Sequence, residues 1–202
     1  MKRLKKISAI IFTIIIAINA CKPKSNKKHN ISINTTVITK TSYSFQNPEA
    51  ETLSIKAFDL KQNKEYSKAI SIYKEAIQVE PDNPKLFFDV SECYWQMNMA
   101  DEAIASLNNA ILLDDSSILF YNNLGLIYWQ LYQNEKAIEN FETAIKLDST
   151  HWIPYSNIAM AYYTQGEQQK ACETFNKSKL LGLDEQTIKN SKHLLLIQER
   201  CK

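Results

Sequence analysis

Glycine is scarce. Gly125, Gly166 and Gly182 are the only three in 202 residues, and no two lie close together. A phosphate-cradling loop needs two or more glycines within a few residues so that the backbone can approach the anion. Dinucleotide-binding and P-loop chemistry are therefore excluded. Histidine is equally sparse: His29, His151 and His193 have no short ligand spacing, which argues against a zinc enzyme. No Ser/His/Asp arrangement or carboxylate pair stands out, and the acidic residues are scattered in the manner of solvated helix faces. The chain is expected to be no enzyme, with no cofactor, no metal and no small-molecule substrate. What it does have is 45% hydrophobic and 23% charged residues, the balance of a soluble domain with a core.

The first 20 residues, MKRLKKISAIIFTIIIAINA, place Lys2, Arg3, Lys5 and Lys6 before an apolar run from Ile7 to Ile18. The run is shorter than the ~20 apolar residues a spanning helix needs. It has the length and flanks of a cleaved secretory signal, so residues 1–20 are read as a signal peptide. Cleavage after Ala20 leaves Cys21 at the new amino terminus. The stretch Ile18-Asn19-Ala20-Cys21 resembles the lipobox of bacterial lipoproteins, with Ile18 where Leu is usual and Asn19 where a small residue is usual. That resemblance implies acylation of Cys21, and two or three acyl chains, at about 0.8 kcal/mol per buried methylene, hold a protein stably on a membrane. The expected address is a bacterial cell envelope, with the outer membrane facing the periplasm preferred.

Residues 21–49 follow as a basic tether rich in Lys, Ser, Thr and Asn, expected to be disordered or weakly extended. As a flexible coil it would hold the body roughly 30 Å from the membrane. Its net charge after Cys21 is +4, whereas residues 50–202 carry 15 cations and 21 anions, a net of −6. The lysines beside Cys21 suit anionic lipid headgroups or plain solvation. Nothing in this distribution suggests nucleic acid.

From Ala50 onward one period of 34 residues organises the chain. Ala69, Ala103, Ala137 and Ala171 recur at that step. So do Tyr73, Leu107, Phe141 and Phe175, then Ala76, Ala110, Ala144 and Ser178. Ahead of each come Ala57, Ser91, Gly125 and Ala159, and then Leu60, Tyr94, Tyr128 and Tyr162. Within each unit the spacing is helical over two runs of about 14 residues. Small residues where helices cross let the backbones approach, and the rings fill the space beside them. Each unit is thus a helical hairpin that buries its outer face only by stacking on the next.

These columns resemble the tetratricopeptide repeat (TPR). The third copy matches most fully, with Tyr121, Leu124, Gly125, Tyr128, Ala137, Phe141 and Ala144; the first departs with Lys56 and Leu60 where Leu and Tyr are usual. The resemblance covers repeats at 50–83, 84–117, 118–151 and 152–185. It implies an all-α fold, a right-handed superhelical solenoid of four helical hairpins, closed by a C-terminal capping helix over 186–202. It also implies a concave groove lined by the first helix of each repeat, at positions 2, 5, 6, 9, 12 and 13. The candidate binding residues at such positions are Phe58, Phe88, Glu92, Trp95, Asn122, Asn123, Leu126, Trp129, Asn157, Met160 and Tyr163. Trp95, Trp129 and Tyr163 share position 12 and form a strip at about 10 Å per repeat, serving either as binding anchors or as packing between repeats. The Lys and Asn with which TPR co-chaperones grip a carboxylate are replaced by Ser54 and Phe58, so that clamp is absent.

Cys172 falls where other repeats have Ile and reads as a small buried hydrophobe; Cys93 falls in another packed column; Cys201 lies near the end of the terminal helix. Counted as one antiparallel helix from Gly182, Cys172 and Cys201 are roughly 10 Å out of register, so no disulfide is expected. The functional expectation is an adaptor or scaffold that binds a protein or peptide of the cell envelope in the groove. Glycan or peptidoglycan binding by the aromatic strip is the alternative.

Overall fold

The computed structural model describes residues 43–202. These hold ten α-helices and, among the described residues, no strand. Four hairpins come first: α1 (Pro48–Gln62) with α2 (Tyr66–Val79), α3 (Pro84–Gln96) with α4 (Ala100–Leu113), α5 (Ile118–Gln130) with α6 (Asn134–Leu147), and α7 (Trp152–Gln165) with α8 (Gln168–Leu180). Two short helices follow, α9 (Glu185–Asn190) and α10 (Lys192–Arg200). Each hairpin packs on itself, and its second helix packs on the first helix of the next. The solenoid expected from the 34-residue columns is the fold observed.

Local chemistry sets the helix ends. Asn47 and Asn83 precede Pro48 and Pro84, and their side chains accept from the amides of Glu49 (2.8 Å) and Lys85 (3.1 Å). Asparagine at the cap with proline at the first helical place satisfies an orphan donor and removes another. The first helix of every repeat ends in the same way. Lys64, Asn98, Tyr132 and Gly166, again 34 residues apart, take left-handed φ values of 62°, 63°, 60° and 82°. The next amide then reaches back to the carbonyl of Leu60, Tyr94, Tyr128 or Tyr162 at 2.9–3.0 Å, a Schellman closure. Three of these four places carry a side chain where glycine is cheapest. Tyr132 is 66% exposed, so its ring contributes little packing. Tyr132→Gly is expected to stabilise the chain by about 0.5–1 kcal/mol, read as a shift in urea midpoint.

The repeated columns are the core. All four alanines of the Ala69 series are fully buried, as are Tyr73, Leu107 and Phe141, with Phe175 nearly so. At Gly125 the helix and the Phe141 ring approach closely: a Cβ there would stand 2.6 Å from Cε1 of Phe141. The burial falls into two clusters, one through the first two repeats with Leu119, Phe120, Leu124 and Ile127 of α5 and Ile153 of α7, the other through Leu126, Trp129, α6, the fourth repeat and the C-terminal helices. Tyr128 and Trp152 pack against both.

Three expectations are corrected. The C-terminal stretch is two helices, because Asp184 caps α9 through the Thr187 amide (2.8 Å) and Ser191 both ends α9 and caps α10 through the Leu194 amide (3.3 Å). That break invalidates a register counted along one straight helix. Cys172 and Cys201 are in fact disulfide-bonded, with Cα atoms 5.3 Å apart. Both are half-buried, while Cys93 remains a buried free thiol. Finally, residues 43–47, expected to belong to the tether, dock on the body. The Gln46 and Asn47 amides donate to the Glu80 carboxylate at 3.2 and 3.0 Å, and the Tyr43 hydroxyl donates to Asp114. The signal peptide, Cys21 and residues 22–42 of the tether lie outside the described residues. No described helix is long and apolar enough to cross a membrane.

Candidate functional site

The inner positions of the four repeats do not form one uniform wall. In the first two repeats charge and exposed apolar surface meet. Phe58 on α1 is 43% exposed and its neighbour Ile55 is 58% exposed. The Lys61 ammonium lies 5.1 Å from the centre of the Phe58 ring, a cation–π contact. The same ammonium pairs across to α3, with Glu92 at 2.8 Å and Asp89 at 3.4 Å, and Lys85 pairs with Asp89 from one turn earlier on that helix. Burial alone would lower the Lys61 pKa, but the facing charges of Asp89 and Glu92 hold it above the ordinary lysine range. Lys61 therefore stays protonated at any physiological pH. Burial pushes the adjacent Cys93 thiol up to about 12, which leaves it an inert thiol rather than a nucleophile.

Phe88, also on α3, is buried against Phe120, with ring centres 5.6 Å apart. Tyr43 also stacks on Phe120, at 5.7 Å with the planes 14° apart. The arriving N-terminal segment thus packs on Phe120. Two carboxylates hold that segment. At Asp114, desolvation raises the pKa, but hydrogen bonds from Ser116 and Tyr43 outweigh it and leave it lowered; at Glu80, bonds from Asn83, Asn47 and Gln46 do the same. A carboxylate with a depressed folded pKa stabilises above its unfolded value and loses that contribution as pH falls through the folded one. Docking of residues 43–47 is accordingly expected to be complete at neutral pH and to be lost only as pH falls below the ordinary values of 3.8 and 4.5. Amide exchange of Gln46 and Asn47 against pH reads this out. Asp114→Ala, which removes the acceptor, should weaken docking at the Tyr43 end at neutral pH.

In repeats three and four the inner positions are covered. Trp129 is 4% exposed and Trp95, in the second repeat, is 7% exposed, so neither presents an open ring face. The Trp129 indole donates to the Thr164 hydroxyl at 3.3 Å, and its ring meets His193 of α10 edge-on at 5.2 Å. Leu126 and Met160 are buried, and Tyr163 is half-buried beside them. The asparagines are used internally. The Asn157 amide donates to the Asn122 carbonyl oxygen at 2.7 Å, and Asn123 donates to the Leu119 carbonyl at 2.7 Å. Among the sequence-derived candidates, only Phe58, Glu92 and Tyr163 keep partial exposure.

Ile55, Lys61, Asp89 and Lys85 were not among the candidates. A signal was present: position 12 carries a ring in three repeats but Lys61 in the first, and position 9 is apolar in three repeats but Glu92 in the second. Opposite charges at inner positions of adjacent helices can only pair across the repeat boundary. Among the described residues, no group of His, Cys, Asp and Glu is placed to hold a metal.

Comparison with known proteins agrees with this architecture. Tetratricopeptide repeat family profiles match residues 60–121, 119–151 and 154–181. The chain belongs to the tetratricopeptide repeat family. Among solved structures, MamA 41-end from Desulfovibrio magneticus RS-1 is similar at 16% identity, with 77% of this chain and 87% of that chain covered and a TM-score of 0.66. A thermophilic TPR protein of Thermus thermophilus, TTC0263, is similar at 15% identity over 75% of this chain and 84% of that one, with a TM-score of 0.63. The first TPR of Spaghetti (RPAP3), solved with the HSP90 peptide SRMEEVD, covers 58% of this chain and 94% of its own at 20% identity, with a TM-score of 0.55. No curated protein matches the chain.

Proposed function

We propose that this protein is a non-catalytic adaptor of a bacterial envelope, held to a membrane through acylated Cys21, that receives a peptide or helix of a partner protein on the inner wall of its first two repeats. The observation that carries this reading is the Ile55–Phe58 patch, exposed on α1 beside a fixed set of charges. Lys61, Asp89, Glu92 and Lys85 are held in place by their mutual pairing, so a ligand meets a preorganised polar edge next to an apolar surface. A structural neighbour solved with a bound peptide supports the mode, although Ser54 and Phe58 leave this chain without the co-chaperone carboxylate clamp. Sugar stacking requires open aromatic faces, and Trp95 and Trp129 are buried, so no observation favours the glycan alternative.

The test is affinity capture from detergent-solubilised envelope with the full chain and with Phe58→Glu. Loss of a captured protein in the variant, with its helical content unchanged, supports the reading; an identical capture profile rejects it. Substituting Trp95 or Trp129 would serve less well, since both rings are part of the packing. The membrane half is tested separately by mass spectrometry of the mature amino terminus, where an acylated Cys21 is expected.

A further inference from the structure

Helix α10 lies where a ligand would lie. Positions 9 and 12 of repeats three and four are Leu126, Trp129, Met160 and Tyr163, the inner wall of that half of the solenoid. Leu194 and Ile197, buried on one face of α10, belong to the same apolar cluster as Leu126, Trp129 and Met160. Tyr163 packs against that cluster, and His193 meets Trp129 edge-on at 5.2 Å. The helix packs on both α7 and α8. A residue, its neighbour and the residue one turn on (His193, Leu194, Ile197) are the spacing with which an amphipathic helix docks in a groove.

Beside its buried apolar face, α10 has polar contacts toward its C-terminal end. It has nine residues, too few to be a stable helix in isolation. Its polar ties include the Gln168 amide to the Arg200 carbonyl at 3.2 Å and the Gln198 amide to Glu185 at 3.1 Å. The strong tie is covalent: Cys201, the residue after α10, is bonded to Cys172 on α8. This bond keeps α10 at high effective concentration over the wall, so that a free competitor faces an intramolecular one. Both cysteines are half-buried rather than enclosed.

The geometry points to a disulfide-gated helix-binding surface on the inner wall of repeats three and four, occupied by the chain's own α10 while Cys172 and Cys201 are joined. A dithiol reductant opens it. One reductant thiolate attacks a sulfur of the pair, the Cys172–Cys201 bond breaks and a mixed disulfide forms; the second reductant thiol then resolves it. The chain gains two thiols and the reductant becomes a disulfide. The freed wall accepts an amphipathic helix that presents apolar side chains at the α10 spacing. This surface is separate from the Ile55–Phe58 patch, and either can exist without the other.

The probe is a labelled synthetic peptide of residues 191–202 carrying Cys201→Ser. It is titrated against the full chain in detergent, oxidised, reduced with dithiothreitol, and as the Cys172→Ser/Cys201→Ser variant. Amide exchange is followed on the same samples. The expected result is binding to the reduced chain and to the double variant, with affinity for the oxidised chain lower by at least about tenfold. The α10 amides should exchange at least about tenfold faster after reduction while α5 to α8 keep their protection. A peptide with Leu194→Asp should not bind. Equal binding to both redox forms, binding to neither, or unchanged α10 protection would overturn the gate. Loss of protection across α7 and α8 on reduction would also overturn it, by showing the disulfide to be a staple of the fold. The Phe58→Glu capture experiment is unaffected by any of these outcomes.

Discussion

Phe141→Ala is expected to destabilise the chain by about 3–5 kcal/mol, the range for deleting a fully buried ring whose surroundings relax only in part. The site has little room to collapse, because Gly125 already brings α5 against the ring: an atom at its Cβ position would be 2.6 Å from Cε1 of Phe141. The loss has a further signature in a repeat architecture. Each hairpin contacts only its neighbours, so weakening the third uncouples the two halves of the stack. Urea unfolding followed by far-UV circular dichroism should change from one transition to two, or to one that is markedly broader. A uniform shift at constant steepness would mean that the solenoid unfolds as a single cooperative block.

The second large effect belongs to the ion network of the first two repeats. Lys61→Ala is expected to cost about 2–4 kcal/mol, because Asp89, buried, and Glu92, half-buried, would lose the ammonium that pairs with both. Their side chains are only 6% and 21% exposed, so water compensates poorly. The cost should shrink in acid, where protonation relieves the unpaired carboxylates. Replacing Lys61, Asp89 and Glu92 together by apolar residues of similar size should restore most of the stability, since a buried pair gains little over well-packed apolar groups. Urea titrations of the single and triple variants at two pH values decide this. A single variant as stable as the parent would show that the pairs are solvent-screened surface contacts.

The fold was legible because its signal is repeated. One Ala69 is an alanine; Ala69, Ala103, Ala137 and Ala171 in step are a packing column, and the structure buries all four. The turn geometry was hidden for the opposite reason. The left-handed place in each repeat is filled by Lys64, Asn98, Tyr132 and Gly166, four residue types with nothing in common except the backbone angle imposed on them. The C-terminal helices were misread because Asp184 and Ser191, both capping residues, were read as part of one continuous helix. With that break in place the chain folds back and brings Cys201 to Cys172. The docked Tyr43 was lost in the average composition of a polar segment.

The site was harder to read than the fold. Inner positions could be assigned by their place in the repeat, but a position's side chain is available only if nothing is laid across it. Trp129 is covered by His193, a residue far away in sequence that no repeat pattern predicts. The exposed part of the wall lies where the repeat pattern is weakest, on α1, and its charges were informative only as pairs spanning two repeats.

The most direct measurement is site-specific photocrosslinking in intact cells, with a benzophenone amino acid at position 58 on the inner wall and, as the control, at position 112, where Leu112 is 82% exposed on α4. Adducts to another protein from position 58, and none from position 112, are the predicted result. Adducts only from position 112, or from neither place, would contradict a partner that docks on the first two repeats.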